Sequence, residues 1–263
     1  MADVIVVDDP DDERFRQFRL NERGLASRTQ KRDDAGAGLF LAEGDLVVER
    51  GVDAGCVPVA ALVDVDNIPP VVERLGCPIY GGGGEVRRVV SRLGMPLSIV
   101  ALFARPRRPS VRELAVRCRR LVVVEAVDNP ANIGSIVRNA AGLGWDGLVL
   151  DHTSADPFSR RALRVAMGTA FSIPHARTGD LADEVARLDG FDVYALTPEP
   201  TASPIGDVEP GERAAIVLGS ERAGISAQVL EIATPVRIPM APGIDSLNVA
   251  AATAIACWTL GPG

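Results

Sequence analysis

The alternation of apolar and polar positions along the chain predicts an α/β fold in two halves. Short runs rich in Val, Ile and Leu, typical of buried strands, are separated by stretches with the apolar spacing of amphipathic helices. The predicted strands are LFLAEG, VPVAALVDV, PIY and LSIVALFARP in the first half, and LVVVEAV, GLVLD, FDVYALT, AAIVLGS and PVRIPM in the second. Several of the later strands are unbroken apolar runs, which favours a mostly parallel sheet covered on both faces.

The segments between these strands predict helices. The charged N-terminal region suggests a helical segment over RFRQFRLNERGLASRTQKR, and SLNVAAATAIACWTL predicts a long C-terminal helix with Ser246 near its N-cap. The other predicted helices are DLVVERGVDAG, IPPVVERLG, EVRRVVSRLG, NIGSIVRNAAGLG, SRRALRVAMG, LADEVARLDG and ISAQVLEIA. The proline–arginine segment Pro106–Pro109 interrupts the alternation, so we expect a small α/β domain over 1–108 and a second domain over 109–263.

The charge of the chain is acidic overall and basic in one place. The net charge of −7 argues against a strong nonspecific nucleic-acid binder, yet seven arginines and one glutamate lie between Ala104 and Arg120. Only Lys31 is a lysine among 28 basic residues, a bias typical of GC-rich coding sequences, so the choice of arginine does not by itself indicate phosphate binding. The stretch is compatible with a solvated helix face or with an RNA contact.

The termini and the cysteines indicate a cytoplasmic protein without a metal site. The N-terminus is acidic and unlike a signal peptide, and the longest apolar run, VAAATAIACWTL, is too short to cross a bilayer. Cys56, Cys77, Cys118 and Cys257 are widely separated, and the chain has only two histidines. We therefore expect thiols buried in the protein core, and neither a zinc site nor a disulfide framework.

Two glycine patterns resemble nucleotide-binding loops without having their context. Gly142, Gly144 and Gly147 spell GxGxxG, but they close a predicted helix, whereas a dinucleotide fingerprint follows a strand and opens one. They predict a helix C-cap and a turn. Gly81–Gly84 has the required order but lacks the lysine and hydroxyl of a P-loop, so we favour a turn over a phosphate cradle.

Three loops that follow predicted strands form a candidate site. DNPANIG follows LVVVEAV, GSERAG follows AAIVL, and PMAPGIDSLN follows PVRI, so all three lie where open parallel sheets bind ligands. Their uncharged hydrogen-bonding side chains are Asn129, Asn132, Ser220, Ser246 and Asn248. This composition suits a small polar ligand held by backbone groups, and it does not suit a metal ion, a Ser-His-Asp triad or a pair of acid–base carboxylates.

Taken singly, each of these residues has an ordinary structural explanation. Asn132 could cap a helix, Arg138 and Glu221 could lie on the surface, and Ser246 with Asn248 could begin the last helix. Arg138 differs from a typical surface arginine because its helical neighbours are small or apolar.

Jointly the loops resemble a known family. DNPANIGSIVRNA, IVLGSERAGIS and IPMAPGIDSLNVAAATAIA resemble the three motifs of the SpoU (TrmH-type) RNA 2′-O-methyltransferases of the SPOUT superfamily, in order, spacing and position. The resemblance covers Leu121 to Leu260. The region from GLFLAEGDLVVERGVDAG to LSIVALFA is similar to the small α/β substrate-binding domain that precedes the catalytic domain in many rRNA-modifying members.

The resemblance implies a fold, a cofactor and partners. The second domain would be a knotted SPOUT domain, in which the C-terminal segment threads a loop as a trefoil knot that holds bent S-adenosylmethionine. Such enzymes are homodimers with cofactor pockets close to the interface. The residues expected to contact the cofactor are Leu196, Thr197, Leu218, Gly219, Ile238, Met240 and Leu247. The expected catalytic set is Asn132, Arg138, Glu221, Ser246 and Asn248.

Methyl transfer to a ribose hydroxyl requires that the hydroxyl be oriented and its proton removed. The resemblance makes Arg138 the key residue, near the ribose and its phosphate. A guanidinium loses its proton only above pH about 12 and is a poor base, so a phosphate clamp is at least as credible as a general base. Asn132 and Asn248 would hold the arginine, the substrate or the loop geometry, and Glu221 would anchor a loop or neighbouring donors.

The expected substrate is RNA, and the two-domain organisation favours rRNA. A tRNA 2′-O-methyltransferase of the same fold, and an RNA-binding or ribosome-assembly protein without turnover, remain alternatives. The sequence names neither the nucleotide nor the purpose, which is either housekeeping modification or antibiotic resistance. With the resemblance, we expect the arginines of 104–120 to contact RNA, aided by Arg87, Arg88 and Arg92, and Arg160 and Arg164 to be candidates for facing it. Ala166 stands where the family often has serine, so no catalytic role is assigned there.

Overall fold

A computed structural model of the protein describes residues 3–32, 36–92 and 94–262. The chain divides into two compact units: Met1–Arg107 with Phe158–Phe171, and Arg108–Pro157 with Ser172–Gly263. The first division falls inside the proline–arginine segment. The inclusion of Phe158–Phe171 in the first unit has no counterpart in the sequence-based boundaries.

In the described part of the first unit, five strands form a mixed sheet. The strands are β1 (Val4–Val6), β2 (Leu39–Glu43), β3 (Pro58–Asp64), β4 (Ile79–Gly82) and β5 (Ile99–Ala104). Their order is β1-β4-β3-β5-β2, in which β4 pairs in parallel with β1 and β3, and β5 runs antiparallel to β3 and β2. Side chains from β2, β3 and β5 pack with Phe15 and Phe18 to form the core on one side of this sheet.

The helices of the first unit are short. They are α1 (Glu22–Leu25), α2 (Arg28–Arg32), α3 (Asp45–Asp53) and α4 (Gly84–Ser91), with 3-10 turns at Glu13–Phe15, Pro70–Arg74 and Thr169–Phe171. The continuous N-terminal helical segment predicted from the sequence is wrong, because Asn21 is extended and its side chain caps α1, and Ala26 is extended after it. IPPVVERLG likewise forms a 3-10 turn in place of an α-helix.

The segment Phe158–Phe171 completes the core of the first unit. Phe158 stacks on Phe40, with ring centroids 5.0 Å apart, and Phe40 stacks on Phe103 at 5.4 Å. The segment contains α7 (Arg160–Val165). Arg160 and Arg164 of this helix pair with the carboxylate of Glu43, whose side chain is fully buried. These two arginines therefore neutralise a buried charge, and the expectation that they face RNA stays a prediction.

In the described part of the second unit, seven strands form a fully parallel sheet. The strands are β6 (Arg120–Val124), β7 (Gly147–Asp151), β8 (His175–Thr178), β9 (Asp192–Leu196), β10 (Ser203–Pro204), β11 (Ala214–Leu218) and β12 (Thr234–Arg237). Their order is β10-β12-β9-β11-β6-β7-β8, with β11 and β6 at the centre. The predicted α/β class is confirmed, and the unbroken Val, Ile and Leu runs are buried, as expected for a parallel sheet.

Helices flank the sheet of the second unit. They are α5 (Val111–Arg117), α6 (Pro130–Gly142), α8 (Leu181–Ala186), α9 (Ala227–Leu230) and α10 (Val249–Thr259), with a 3-10 turn at Ile205–Asp207. The last helix is capped by Asn248 and not near Ser246, because the side chain of Asn248 accepts from Ala250 N–H. Gly142 ends α6 and Gly144 has a φ of 79°, so the predicted C-cap and turn at GLGWDG are confirmed.

The glycine run Gly81–Gly84 is used mainly for packing. Gly81 and Gly82 belong to β4, and a Cβ on Gly81 would lie 2.6 Å from the Val65 side chain. The predicted turn is thus limited to Gly83, which is the N-cap of α4.

Several arginines of the expected RNA-contacting stretch are buried. Arg105, Arg108 and Arg120 are all less than a tenth exposed. Arg120 donates to the carbonyls of Leu260 and Glu212 at 3.2 and 2.7 Å, so it holds the C-terminal end of α10 to the start of β6. Arg87 is likewise buried and pairs with Asp64 at 2.6 Å. RNA contact within this set is left to exposed members such as Arg112, Arg117 and Arg119.

Two of the four cysteines are buried, as expected, and two are half-buried. Burial raises the pKa of Cys118 to about 11 and that of Cys257 to about 12. Cys56 and Cys77 are partly exposed. Among the described residues, no helix is long and apolar enough to cross a membrane.

Candidate functional site

A cleft of about 460 Å³ opens at the carboxyl ends of β9, β11 and β12. This edge of a parallel sheet is where open α/β folds bind ligands. The cleft is lined by Leu196–Glu199, Leu218–Ile225, Leu230, Ile238, Met240, Asp245–Leu247, Val249 and Ala252. All seven residues expected to contact a cofactor are among these lining residues, as are Glu221 and Ser246 of the expected catalytic set.

The loop after β11 forms one wall of the cleft and is unusually tight. Ser220 O accepts from Gly224 N–H at 2.9 Å, and the Ser220 hydroxyl accepts from Ala223 N–H at 3.1 Å. Gly224 has a φ of 67°, a conformation that favours glycine. A Cβ on Gly219 would lie only 2.2 Å from the carbonyl carbon of Gly224. Only glycine at position 219 lets this loop close, with Glu221 and Arg222 at its tip.

Three polar side chains from the three predicted loops meet beside the cleft. Glu221 Oε1 accepts from Asn132 Nδ2 and from Asn248 Nδ2, each at 2.9 Å. Asn248 Nδ2 also lies 3.2 Å from Asn132 Oδ1. Asn132 is 8% exposed, so its amide needs these partners. The carboxylate thus joins α6, the β11 loop and the segment before α10.

The other two members of the expected catalytic set lie apart from this cluster. Arg138 is exposed on α6, and within the described chain it forms no hydrogen bond or ion pair. Ser246 lies on the cleft wall in the exposed segment 241–248. The structure therefore joins Asn132, Glu221 and Asn248, and leaves Arg138 and Ser246 open to a ligand.

The start of α6 is positioned by residues outside the expected catalytic set. Asn129, and not Asn132, is the N-cap of α6, and Pro130 occupies the first turn. Glu125 accepts from Ser226 N–H at 2.9 Å, so the end of β6 is tied to the start of α9. Asp151 accepts from Ala126 N–H at 2.9 Å. Glu125 directly follows β6 and Asp151 is the last residue of β7, and a carboxylate at the end of a predicted strand is the signal that could have found both.

The chemistry of the lining fits a nucleoside with a positive charge. Leucines, Ile238 and Met240 give the cleft apolar walls that suit a base. In mostly apolar clefts of this kind, a few polar groups fix the orientation of the ligand. Glu199, Glu221 and Asp245 are also on the walls, against the single cation Arg222, which favours a cationic ligand. S-adenosylmethionine, with its adenine and its sulfonium, has this character. Glu199, Arg222 and Asp245 were not among the residues expected from the sequence.

In the described residues, no group of three His, Cys, Asp or Glu side chains is arranged to hold a metal ion. Asp151 accepts hydrogen bonds from the backbone N–H groups of Ala126, Thr153 and Ser154. Its burial raises the pKa, but hydrogen bonds from Ser154, Thr153 and backbone N–H groups outweigh that effect and hold the pKa of the carboxyl below its usual value.

The chain is similar to RNA methyltransferases over nearly its whole length. The profile of the SpoU rRNA Methylase family matches residues 119–258. An uncharacterised tRNA/rRNA methyltransferase of Mycobacterium tuberculosis is 37% identical, over 97% of this chain and 91% of that protein. A 23S rRNA guanosine 2′-O-methyltransferase of Bacillus subtilis is 30% identical, over 88% of this chain and 91% of that one. The AdoMet-bound rRNA methyltransferase of Sinorhizobium meliloti superposes with a TM-score of 0.82 at 25% identity, covering 97% of each chain.

Proposed function

The chain belongs to the SpoU rRNA methylase family, and on that premise we propose that it transfers a methyl group from S-adenosylmethionine to a ribose 2′-hydroxyl of rRNA. The observation that carries the proposal is the meeting of Asn132, Glu221 and Asn248 beside a cleft lined by every residue expected to contact the cofactor. The 23S rRNA activity in the name of the Bacillus subtilis relative supports rRNA as the substrate class.

The site residues divide into binding and positioning roles. When bound, S-adenosylmethionine supplies the electrophilic methyl group. Leu196, Leu218, Ile238 and Met240 enclose its base and exclude water. Glu221 fixes the two asparagine amides, so that the loops from three parts of the chain keep one geometry. The rate gain from such fixed positions comes from holding the hydroxyl in line with the methyl group.

Arg138 acts as a phosphate clamp in this proposal. Its side chain is exposed and free of partners in the described chain, so the guanidinium is available to a ligand. A charged guanidinium offers two parallel donors to a phosphate. The clamp would hold the nucleotide while the proton of the hydroxyl passes to water.

Transfer of labelled methyl groups to RNA tests this function. S-adenosylmethionine carrying a labelled methyl is incubated with RNA from a strain lacking the gene, and 2′-O-methylated linkages are mapped by their resistance to alkali. Label at a resistant linkage in rRNA is expected. Label in tRNA alone would assign the tRNA class, and cofactor binding without label in any RNA would make the protein an RNA-binding or assembly factor.

The Arg138→Ala variant tests the clamp. We expect methyl transfer to fall about 100-fold while the affinity for the cofactor stays within about twofold, because the lost contact is to RNA. Arg187→Ala is the matched control, since Arg187 is also an exposed arginine at a helix, the end of α8, but it precedes β9, on the side of the sheet opposite the cleft, and lies outside the arginine-rich stretch 104–120. Equal turnover by the two variants would remove Arg138 from the mechanism.

We also propose a knotted C-terminal segment, a homodimer and a cytoplasmic site of action. The knot is supported by family membership and by the path from β12, which pairs with β9, to α10, which packs on α6. The dimer is supported by α10, whose Trp258 is 78% exposed beside Ile255.

We also propose that the first unit binds RNA, because the sequence of 1–108 is similar to the substrate-binding domain of rRNA-modifying family members. Ribosome maturation, the process that would supply the substrate, places the enzyme in the cytoplasm.

A further inference from the structure

The loop that leads from β6 into α6 contains a residue in an unfavourable backbone conformation. Ala126 has a φ of 56°, in the left-handed region that residues with a Cβ rarely adopt. It lies three residues before the cap Asn129 and six before Asn132. A left-handed alanine persists only where its surroundings hold it, and such residues cluster at functional sites.

Asp151, at the end of the neighbouring strand β7, stabilises the left-handed conformation of Ala126 by hydrogen bonds. Its carboxylate accepts from Ala126 N–H at 2.9 Å and from the N–H groups of Thr153 and Ser154 at 3.0 Å each, as well as from both hydroxyls. The Ser154 hydroxyl in turn accepts from Val127 N–H at 3.1 Å.

The backbone of the loop 126–127 both donates and accepts hydrogen bonds. Val127 O accepts from Ala155 N–H at 2.9 Å, so the loop 126–127 is paired to the segment 151–155 through both of its N–H groups and a carbonyl. The direction in which the chain enters α6 therefore depends on Asp151. Asn132, in the first turn of α6, must meet Glu221 across the sheet edge, and a small rotation of the helix would break that contact.

We propose that Asp151 is a positioning residue for methyl transfer, which acts through the left-handed Ala126 to aim Asn132 at Glu221. The proposal rests on the proposed methyltransferase function. Asp151 does not line the cleft, and its hydrogen bonds go to none of the expected catalytic side chains. Its influence on the reaction passes through the backbone of one loop.

The alternative is that Asp151 only stabilises the end of β7, and a rescue experiment separates the two roles. Asp151→Asn keeps the shape of the side chain but loses acceptors. We expect kcat for methyl transfer to fall by about tenfold or more, with the cofactor Kd and the KM for RNA little changed. Adding Ala126→Gly to Asp151→Asn should restore most of kcat, because glycine adopts the left-handed conformation without help.

Asp180→Asn is the matched control. Asp180 also follows a strand of this sheet and caps α8, but it has no bond to the loop 126–127. Should Asp151→Asn fail to fold, Ser154→Ala provides a second test, because it removes the acceptor for Val127 N–H and the hydroxyl that donates to Asp151 and to Val124 O, and leaves the Asp151 carboxylate in place.

The outcomes are distinct. Loss of kcat in Asp151→Asn, recovery with Ala126→Gly and normal turnover of Asp180→Asn support the proposal. Turnover of Asp151→Asn equal to that of Asp180→Asn, or a loss that Ala126→Gly does not restore, overturns it while leaving the methyltransferase function intact. Absence of methyl transfer by the unaltered protein would instead overturn the function on which the proposal rests.

Discussion

At the scale of the residue, Gly219 is the position where the cleft tolerates least change. A methyl group there would meet the backbone of Gly224, which cannot move without opening the loop that carries Glu221. We expect Gly219→Ala to lower the free energy of unfolding by about 1–3 kcal/mol through overpacking, and to weaken cofactor binding. Denaturant titration and calorimetric binding measure the two effects.

Gly206→Ala is the control for this substitution, because a Cβ at Gly206 meets nothing within 4 Å. Equal cofactor affinity in the two variants would show that the loop closes without a glycine at position 219.

Residues of the candidate site could be predicted from the sequence only where they belong to a family motif. Asn132, Glu221 and Asn248 were named from family resemblance, and the structure joins them by hydrogen bonds. Glu221 was expected to anchor a loop or neighbouring donors, but the sequence did not identify those donors as Asn132 and Asn248, because the three residues are far apart in the chain and meet only in the folded sheet. Asp151 and Ala126 carry no motif, and a left-handed alanine has no signature in composition or periodicity.

At the scale of the element, α5 is held by a reciprocal cap. The Ser110 hydroxyl accepts from Glu113 N–H at 3.2 Å, and Glu113 Oε2 accepts from Ser110 N–H at 2.7 Å. We expect Ser110→Ala to lower the free energy of unfolding by about 1 kcal/mol. Ser226→Ala is the control in chemical denaturation, since Ser226 caps α9 without a side-chain hydrogen bond. Equal losses in the two variants would contradict a role for the hydroxyl of Ser110.

The C-terminal helix α10 is the element with an unexplained apolar surface. Trp258 is 78% exposed and Ile255 is 38% exposed, whereas the opposite face of the helix is buried. If this face is the dimer interface, Trp258→Glu should yield monomers, because the interface would have to bury an unpaired charge. Light scattering after size exclusion measures the mass. Val116→Glu, an equally exposed position on α5, should leave the mass unchanged.

Elements with strong periodicity were predicted and short ones were not. The buried strands β6, β7 and β11 were evident as unbroken apolar runs, whereas β8 contains His175 and Arg177 and was missed. β1 was hidden in an acidic N-terminus and is a three-residue edge strand. The pairing of these strands with neighbours supplies the stability that their own sequence does not indicate.

At the scale of the whole molecule, an acidic protein that binds RNA must do so through local charge. The net charge of −7 repels a polyanion, whereas Arg222 lines the cleft and Arg138 is exposed on α6. We expect RNA affinity to fall about tenfold or more between roughly 50 and 200 mM salt, through counterion release. Arg138→Ala should flatten this dependence and Arg187→Ala should not. Affinity that is constant with salt would exclude a phosphate-based contact.

Because Phe158–Phe171 belongs to the first unit, that unit cannot be completed until the ribosome has synthesised this later segment. When residue 107 emerges from the ribosome, the first unit still lacks the two arginines that neutralise the buried Glu43. At about 5–20 residues per second, they follow several seconds later, after much of the first βαβ unit of the second sheet has been made. Until then the nascent N-terminal half holds an uncompensated carboxylate and an incomplete aromatic cluster. Its maturation is therefore timed by translation of the catalytic half, so a ribosome that stalls before residue 160 leaves both halves unfinished.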